Sequence, residues 1–192
     1  GAGAPLGCGG QPDPSPECRA AAPEAQHDAQ AAVRWLRRNA ATYRIDPDRI
    51  AMGGGSAGAI TSLLAGWRPE DPGTSGNPGF SSAIRAAVSA SGGVPQDEEG
   101  VITAGDAPAL FLHGTVDLTV PYAWAVSNAI KMLHLGIPVV FEPFEGVGHV
   151  LLPGIDVAQV STAHVRRIFL AQFSPLRLVQ EELRSAPDLV DA

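Results

Sequence analysis

Apolar residues along this chain recur in two ways, at helical spacing in some stretches and in short unbroken runs in others, with Gly- and Pro-rich segments between them. Residues 24–43 have the helical period: Ala29, Val33, Leu36 and Ala40 share one face, and Arg34, Arg37 and Arg38 gather toward the C-terminal end, where cations suit the helix dipole. After a turn at 45–48, the run 49–52 reads as a buried strand that continues through Gly53, Gly54 and Gly55 into Ser56 and a second helix over 57–67. A Gly/Pro/Ser-rich loop over 68–82 leads to strands at 86–90 and 107–112. Residues 122–135 are helical by period, with Gly136 where a C′ glycine belongs, and 138–141 makes a fourth strand before an amphipathic helix at 157–173. Strands separated by helices predict an α/β fold, a mostly parallel sheet with helices on both faces. The Gly/Pro-rich residues 1–23 read as an irregular arm, 24–173 as the folded region and 174–192 as a C-terminal tail.

Composition narrows the function classes. A chain of 192 residues, 45% hydrophobic and 17% charged, is of a size and balance for one globular domain. Its formal charge of −7 gives no electrostatic footprint for nucleic acid or an anionic lipid surface. No apolar run approaches the roughly 18 residues of a membrane span, and residues 1–10 lack the basic and apolar regions of a signal peptide, so a soluble protein is expected. The two cysteines, Cys8 and Cys18, are spaced for a small disulfide-closed loop worth about 2.5–3 kcal/mol on the chain-entropy account, with two free thiols as the alternative. No CxxC spacing or histidine cluster supports a metal. A disulfide implies secretion, with any signal peptide upstream of residue 1; free thiols fit the cytoplasm.

The polar residues that could do chemistry fall where the strands end, which is where open parallel sheets bind ligands. Ser56 lies within Gly54-Gly55-Ser56-Ala57-Gly58, a G-x-S-x-G pattern that puts a serine on a sharp turn from strand to helix. Small neighbours are needed there because the backbone is strained and a substrate must come close. The Ala57 N–H, at the head of the following helix, is the expected oxyanion donor. The plainer alternative is an N-cap serine after a glycine turn. Gly53-x-Gly55-x-x-Gly58 also satisfies the dinucleotide fingerprint, but the next strand ends in Ser91-Gly92-Gly93, with no acid to hold a ribose. Asp117, just past the third strand, suits an acid that fixes the tautomer of an imidazole, or one that caps its own turn. His113, closer to that strand, reads as structural. His149, between Gly148 and Val150 after the last strand, has the loop freedom to reach Ser56 with one nitrogen and Asp117 with the other. His27, His134 and His164 fall in helical patterns and read as surface or local packing residues.

Ser56, Asp117 and His149 follow successive strands in the chain order of α/β-hydrolases. Residues 27–173 resemble the C-terminal half of α/β-hydrolase fold carboxylesterases, particularly bacterial esterase/lipase-like members related to the hormone-sensitive-lipase and dienelactone-hydrolase groups. The matching segments are 28–36, 46–50, the elbow 54–58, His113-Gly114-Thr115-Val116-Asp117 and Gly148-His149. The resemblance implies an ester-cleaving hydrolase, with Ser56 as nucleophile, His149 as general base and Asp117 as its orienting acid, acting on a small-molecule ester without a cofactor. Family members normally supply about four more strands before residue 24, and an HGG-like loop for the second oxyanion donor; nothing in this sequence resembles that loop. The strand ending at Met52 is therefore expected to be an open edge, with association through residues 50–52 unless the arm 1–23 covers it. The 61 residues from Ser56 to Asp117 leave little room for a lid, favouring short acyl groups. Trp67 and Trp124 are candidates for an acyl pocket or for the core. Serine peptidase activity is the enzymatic alternative, and a non-catalytic remnant serving binding or assembly is the alternative outside enzymes.

Overall fold

Helix formation starts earlier in this chain than its prolines suggest. In the computed structural model, which describes residues 16–69, 71–95 and 100–149, helix α1 spans Pro16–Arg38. The irregular arm expected over 1–23 therefore gives way to helix at residue 16. Pro16 occupies the first turn, where a missing N–H costs no hydrogen bond, and Ala20, Ala21 and Ala22 carry the highest helix propensity. Pro23 inside the helix does cost a backbone bond; Ala22 beside it packs against the core, which offsets that loss. The helix expected to continue to Tyr43 breaks at Asn39, whose amide donates to the Trp35 carbonyl at 2.8 Å, and resumes as the single turn α2, Ala40–Tyr43.

Four strands follow, β1 (Met52–Gly55), β2 (Ala87–Ala90), β3 (Ala109–Gly114) and β4 (Val139–Phe144), with α3 (Ala57–Trp67) after β1 and α4 (Tyr122–His134) between β3 and β4. All pair in parallel in the order β1-β2-β3-β4. Because spatial order follows chain order, every crossover moves the same way across the sheet, and right-handed crossovers then put α3 and α4 on one face. Ala87, Ala109, Phe111 and Val139 point to that face and pack with Val33 of α1, Leu63 and Leu64 of α3 and Met132 of α4. Their neighbours Val88, Leu110, Leu112 and Val140 point the other way and form a second cluster. The strand period of two thus separates the two layers. The described helices α1, α3 and α4 share the first face; the helix expected at 157–173, the tail 174–192 and the Cys8–Cys18 pairing lie outside the described residues.

One stripe of α1 is polar and buried. Gln26, Gln30 and Arg34 recur four residues apart, and all three are shielded from solvent. Gln26 donates to the Asp71 carbonyl at 3.1 Å and Gln30 to the Arg68 carbonyl at 2.7 Å. Arg34 donates to the carbonyls of Pro72, Ser75 and Gly76 and to the Ser82 hydroxyl. Arg34 thus organises the irregular loop after α3 rather than serving the helix dipole.

The strand expected to be an edge is at the edge of the described sheet; its start is anchored on the β2 side, where Ile50 is buried and its carbonyl accepts the Arg85 N–H at 2.8 Å. The edge is Met52–Gly55, which among the described residues pairs only with β2. Met52 and Ser56 donate their N–H groups to Ala86 and Ala90. The alternating residues Gly53 and Gly55, both exposed, therefore turn their backbone groups away from β2.

Candidate active site

A parallel sheet brings the carboxyl ends of its strands to one rim, and Ser56, Asp117 and His149 lie there after β1, β3 and β4 respectively. Ser56 has φ 54° and ψ −122°, a left-handed conformation that costs a non-glycine residue about 1–3 kcal/mol. The turn needs Gly54, because a Cβ there would lie 2.5 Å from the Gly58 carbonyl carbon and oxygen at the start of α3. At Gly58 itself an added Cβ meets nothing within 4 Å among the described residues. The Ser56 side chain makes no capping bond to α3. The N-cap alternative is thereby set aside, since the Ser56 hydroxyl lies 2.8 Å from His149 Nε2. The Ser56 carbonyl accepts the Ala59 and Ile60 N–H groups, which leaves Ala57 and Gly58 as the leading amides of the helix.

His149 has far to reach. Three strand spacings separate β1 from β4, roughly 14 Å, so the chain after β4 must fold back over the end of β3. It does so across Gly114, where a Cβ would collide with the Val147 and Gly148 carbonyls. Three bonds hold the crossing: Val116 N–H to the Val147 carbonyl at 3.1 Å, Thr115 N–H to the Phe144 carbonyl at 3.1 Å, and Gly146 N–H to the Thr115 hydroxyl at 3.0 Å. The end of β2 stays low. Gly92 and Gly93 pack into α3 and α4, where a Cβ at Gly93 would lie 2.8 Å from the Ala125 nitrogen and one at Gly92 would collide with Ala59.

Asp117 is buried and divides its oxygens. Oδ1 accepts the N–H groups of Thr119 and Val120 at 2.8 and 3.0 Å, while Oδ2 lies 2.8 Å from His149 Nδ1. The two roles weighed for this residue, capping its own turn and facing an imidazole, are therefore both present. A ring between a carboxylate and a hydroxyl can move a proton from the hydroxyl while the carboxylate stabilises the cation that results.

His113 was the residue whose place the sequence understated. It is fully buried behind Asp117, with Nε2 3.0 Å from the Val120 carbonyl and 3.3 Å from Asp117 Oδ2. Burial pushes its pKa down, more than the Val120 carbonyl and Asp117 push it up. The spacing His113-x-x-x-Asp117 at a strand end was the available signal. The other described histidines lie elsewhere, His27 3.4 Å from Asp71 and His134 exposed on α4, and His164 lies outside the described residues. Trp67 and Trp124 are core residues, Trp67 at the C-terminal end of α3 and Trp124 against Gly93. No helix among the described residues is long and apolar enough to cross a membrane.

A family model described as BD-FAE matches residues 15–92. Over 63 residues the chain is 44% identical to esterase LipQ of Mycobacterium tuberculosis, a stretch covering 33% of this chain and 14% of that protein. Over 64 residues it is 42% identical to the probable carboxylic ester hydrolase LipM of the same organism, again 14% of its length. Among solved structures, Thermogutta terrifontis esterase 2 phosphonylated by cyclosarin superposes with a TM-score of 0.67 at 27% identity, covering 81% of this chain and 66% of that one. The butyrate-bound form of that esterase gives 0.65 at 25% identity, with 80% and 66% covered. A truncated carbohydrate esterase from gut microbiota shares the fold, at 0.65 and 22% identity over 74% of this chain and 67% of that chain. The chain thus spans about two thirds of the solved esterases, and its matches span a small part of the curated ones. Sequence similarity over residues 15–92 and fold similarity over most of the chain run to the same group and support an α/β-hydrolase, carboxylesterase-like family for this chain.

Proposed function

We propose that this chain cleaves carboxylic esters through an acyl-enzyme on Ser56. The observation that carries the reading is the position of His149, whose two ring nitrogens lie 2.8 Å from the Ser56 hydroxyl and 2.8 Å from Asp117 Oδ2. His149 Nε2 takes the Ser56 proton as Oγ attacks the acyl carbonyl; Asp117 fixes the Nδ1–H tautomer and stabilises the imidazolium. The Ala57 N–H faces the developing oxyanion. His149 then protonates the departing alcohol, and in the second half-reaction it deprotonates the water that releases the acid. Short acyl groups are the favoured substrates, a choice supported by the related Thermogutta esterase having been solved with propionate and with butyrate.

The experiment is hydrolysis of p-nitrophenyl butyrate by the 192-residue chain beside Ser56→Ala, both shown to be folded by circular dichroism. Turnover in the first and none in the second is expected. Equal rates would overturn the reading.

A second reading, a hydrolase fold that binds or assembles without turnover, draws on the edge strand β1, which among the described residues pairs only with β2. A fluorophosphonate probe separates the two readings, since only an activated Ser56 is labelled. The open edge of β1 also supports association with a second chain through Gly53 and Gly55.

A further inference from the structure

His113 occupies a place that packing alone does not explain. Its Nε2 lies 3.0 Å from the Val120 carbonyl oxygen. A carbonyl only accepts, so a contact of that length requires a hydrogen on Nε2. The same Nε2 lies 3.3 Å from Asp117 Oδ2, the oxygen that faces His149. The N–H is therefore directed at the carbonyl that ends the Asp117 turn, while the carboxylate oxygen that faces His149 lies beside the same nitrogen without a hydrogen bond from it. The other ring nitrogen, Nδ1, is buried without a hydrogen-bond partner. The ring is held edge-on by Tyr122, at 5.8 Å between centroids and 71° between planes. Tyr122 in turn packs edge-on against Phe141 of β4.

We infer that His113 is a positioning residue for the reaction: a neutral Nε2–H imidazole that holds the Val120 carbonyl, and with it the turn whose Val120 N–H binds Asp117 Oδ1, so that Oδ2 meets His149 Nδ1 in one geometry. The inference rests on the ester-hydrolase reading only for its kinetic consequence. Neutrality matters to the arrangement. A cationic ring there would neutralise Asp117 and oppose the charge that His149 must take up. The ionisable groups facing His113 are Asp117, His149 and Tyr122, with Glu145 beyond Tyr122. Burial lowers the pKa of the ring and so favours its uncharged form.

Two substitutions of like polarity separate positioning from packing. In His113→Gln the amide nitrogen falls near the place of Nε2 and can donate to the Val120 carbonyl. In His113→Asn the amide is one carbon shorter and falls near Nδ1 instead. Chains labelled with ¹⁵N-histidine, examined by long-range ¹H–¹⁵N correlation above neutral pH, report the tautomer of each ring directly. The wild type is expected to show His113 as Nε2–H and His149 as Nδ1–H. His149 should remain a single tautomer in the Gln variant and become a mixture in the Asn variant. In hydrolysis of p-nitrophenyl butyrate, kcat should fall about tenfold in the Asn variant, equivalent to about 1.4 kcal/mol, with KM unchanged and most of the rate restored by Gln. An Nδ1–H tautomer at His113, or a single His149 tautomer in both variants, would overturn the inference. Absence of turnover with the expected tautomers present would count against the esterase reading and leave the positioning role standing.

Discussion

Asp117 is the residue at which two bonding demands meet. Its Oδ1 holds the turn through Thr119 and Val120, and its Oδ2 faces His149. Asp117→Asn keeps an acceptor for the turn but presents an amide N–H to His149 Nδ1, which must then accept. Nε2 would carry the hydrogen and could no longer take one from Ser56. We expect a folded protein with kcat lowered about 10⁴-fold, measured on p-nitrophenyl butyrate beside a thermal melt. Gly114 is the second sensitive position. In Gly114→Ala the added methyl collides with the Val147 and Gly148 carbonyls and displaces the crossing that carries His149. The expected result is about 1–3 kcal/mol of lost stability together with a fall in kcat of about 100-fold. Urea unfolding and kinetics on one sample test both, and a variant with normal kcat would show that the crossing tolerates a side chain.

At the scale of elements, the least legible feature in the sequence was the buried polar stripe on α1. Gln26, Gln30 and Arg34 look like a solvated face by composition, yet they face a loop whose carbonyls have no strand to pair with. Arg34 donates from all three of its nitrogens and is nearly inaccessible. Arg34→Met fills much of the same space and leaves those carbonyls unsatisfied, so a loss of about 3 kcal/mol is expected from urea unfolding. Arg34→Lys should recover only part of it, because one ammonium cannot reproduce the fork. Other elements were readable. Helix α3, Ala57–Trp67, has the bounds its glycine turn and apolar run predicted, and α4 ends one residue short of its predicted end. The start of α1 was not readable, since Pro23 reads as a breaker until the contact of Ala22 with the core is known.

For the molecule as a whole, acid stability follows from His113. Folded, its pKa is held below the ordinary value by burial; unfolded, it returns to about 6.5. As pH falls below about 6.5 the unfolded chain gains a proton that the folded chain does not, so this contribution is fully present above about 6.5 and declines from there down to the depressed folded pKa. Urea midpoints between pH 7.5 and 5.5 should decline in the wild type and decline less in His113→Gln; parallel slopes would assign the acid sensitivity elsewhere. The edge of the sheet carries a second expectation at this scale. With the backbone groups of Gly53 and Gly55 directed away from β2, the chain should associate as concentration rises in analytical ultracentrifugation, and a monomer across the accessible range would rule out pairing through β1.

Much of the chemistry was determined by sequence alone, for a physical reason. In the proposed ester hydrolysis a nucleophile elbow needs small residues around one serine, an orienting acid needs a turn after a strand, and a base needs a loop; each is a local requirement that the segments around Ser56, Asp117 and His149 meet. Alternation of apolar runs with helical stretches fixed the parallel sheet in the same way. Only the tertiary structure decided what depends on residues distant in sequence. Gly114 is required because residues 147–148 cross it, Arg34 is buried because a loop some forty residues later supplies its acceptors, and His113 faces the same oxygen as His149. Those relations arise from the order of strands across the sheet and the path of the last loop over it, and no local pattern in the chain encodes either.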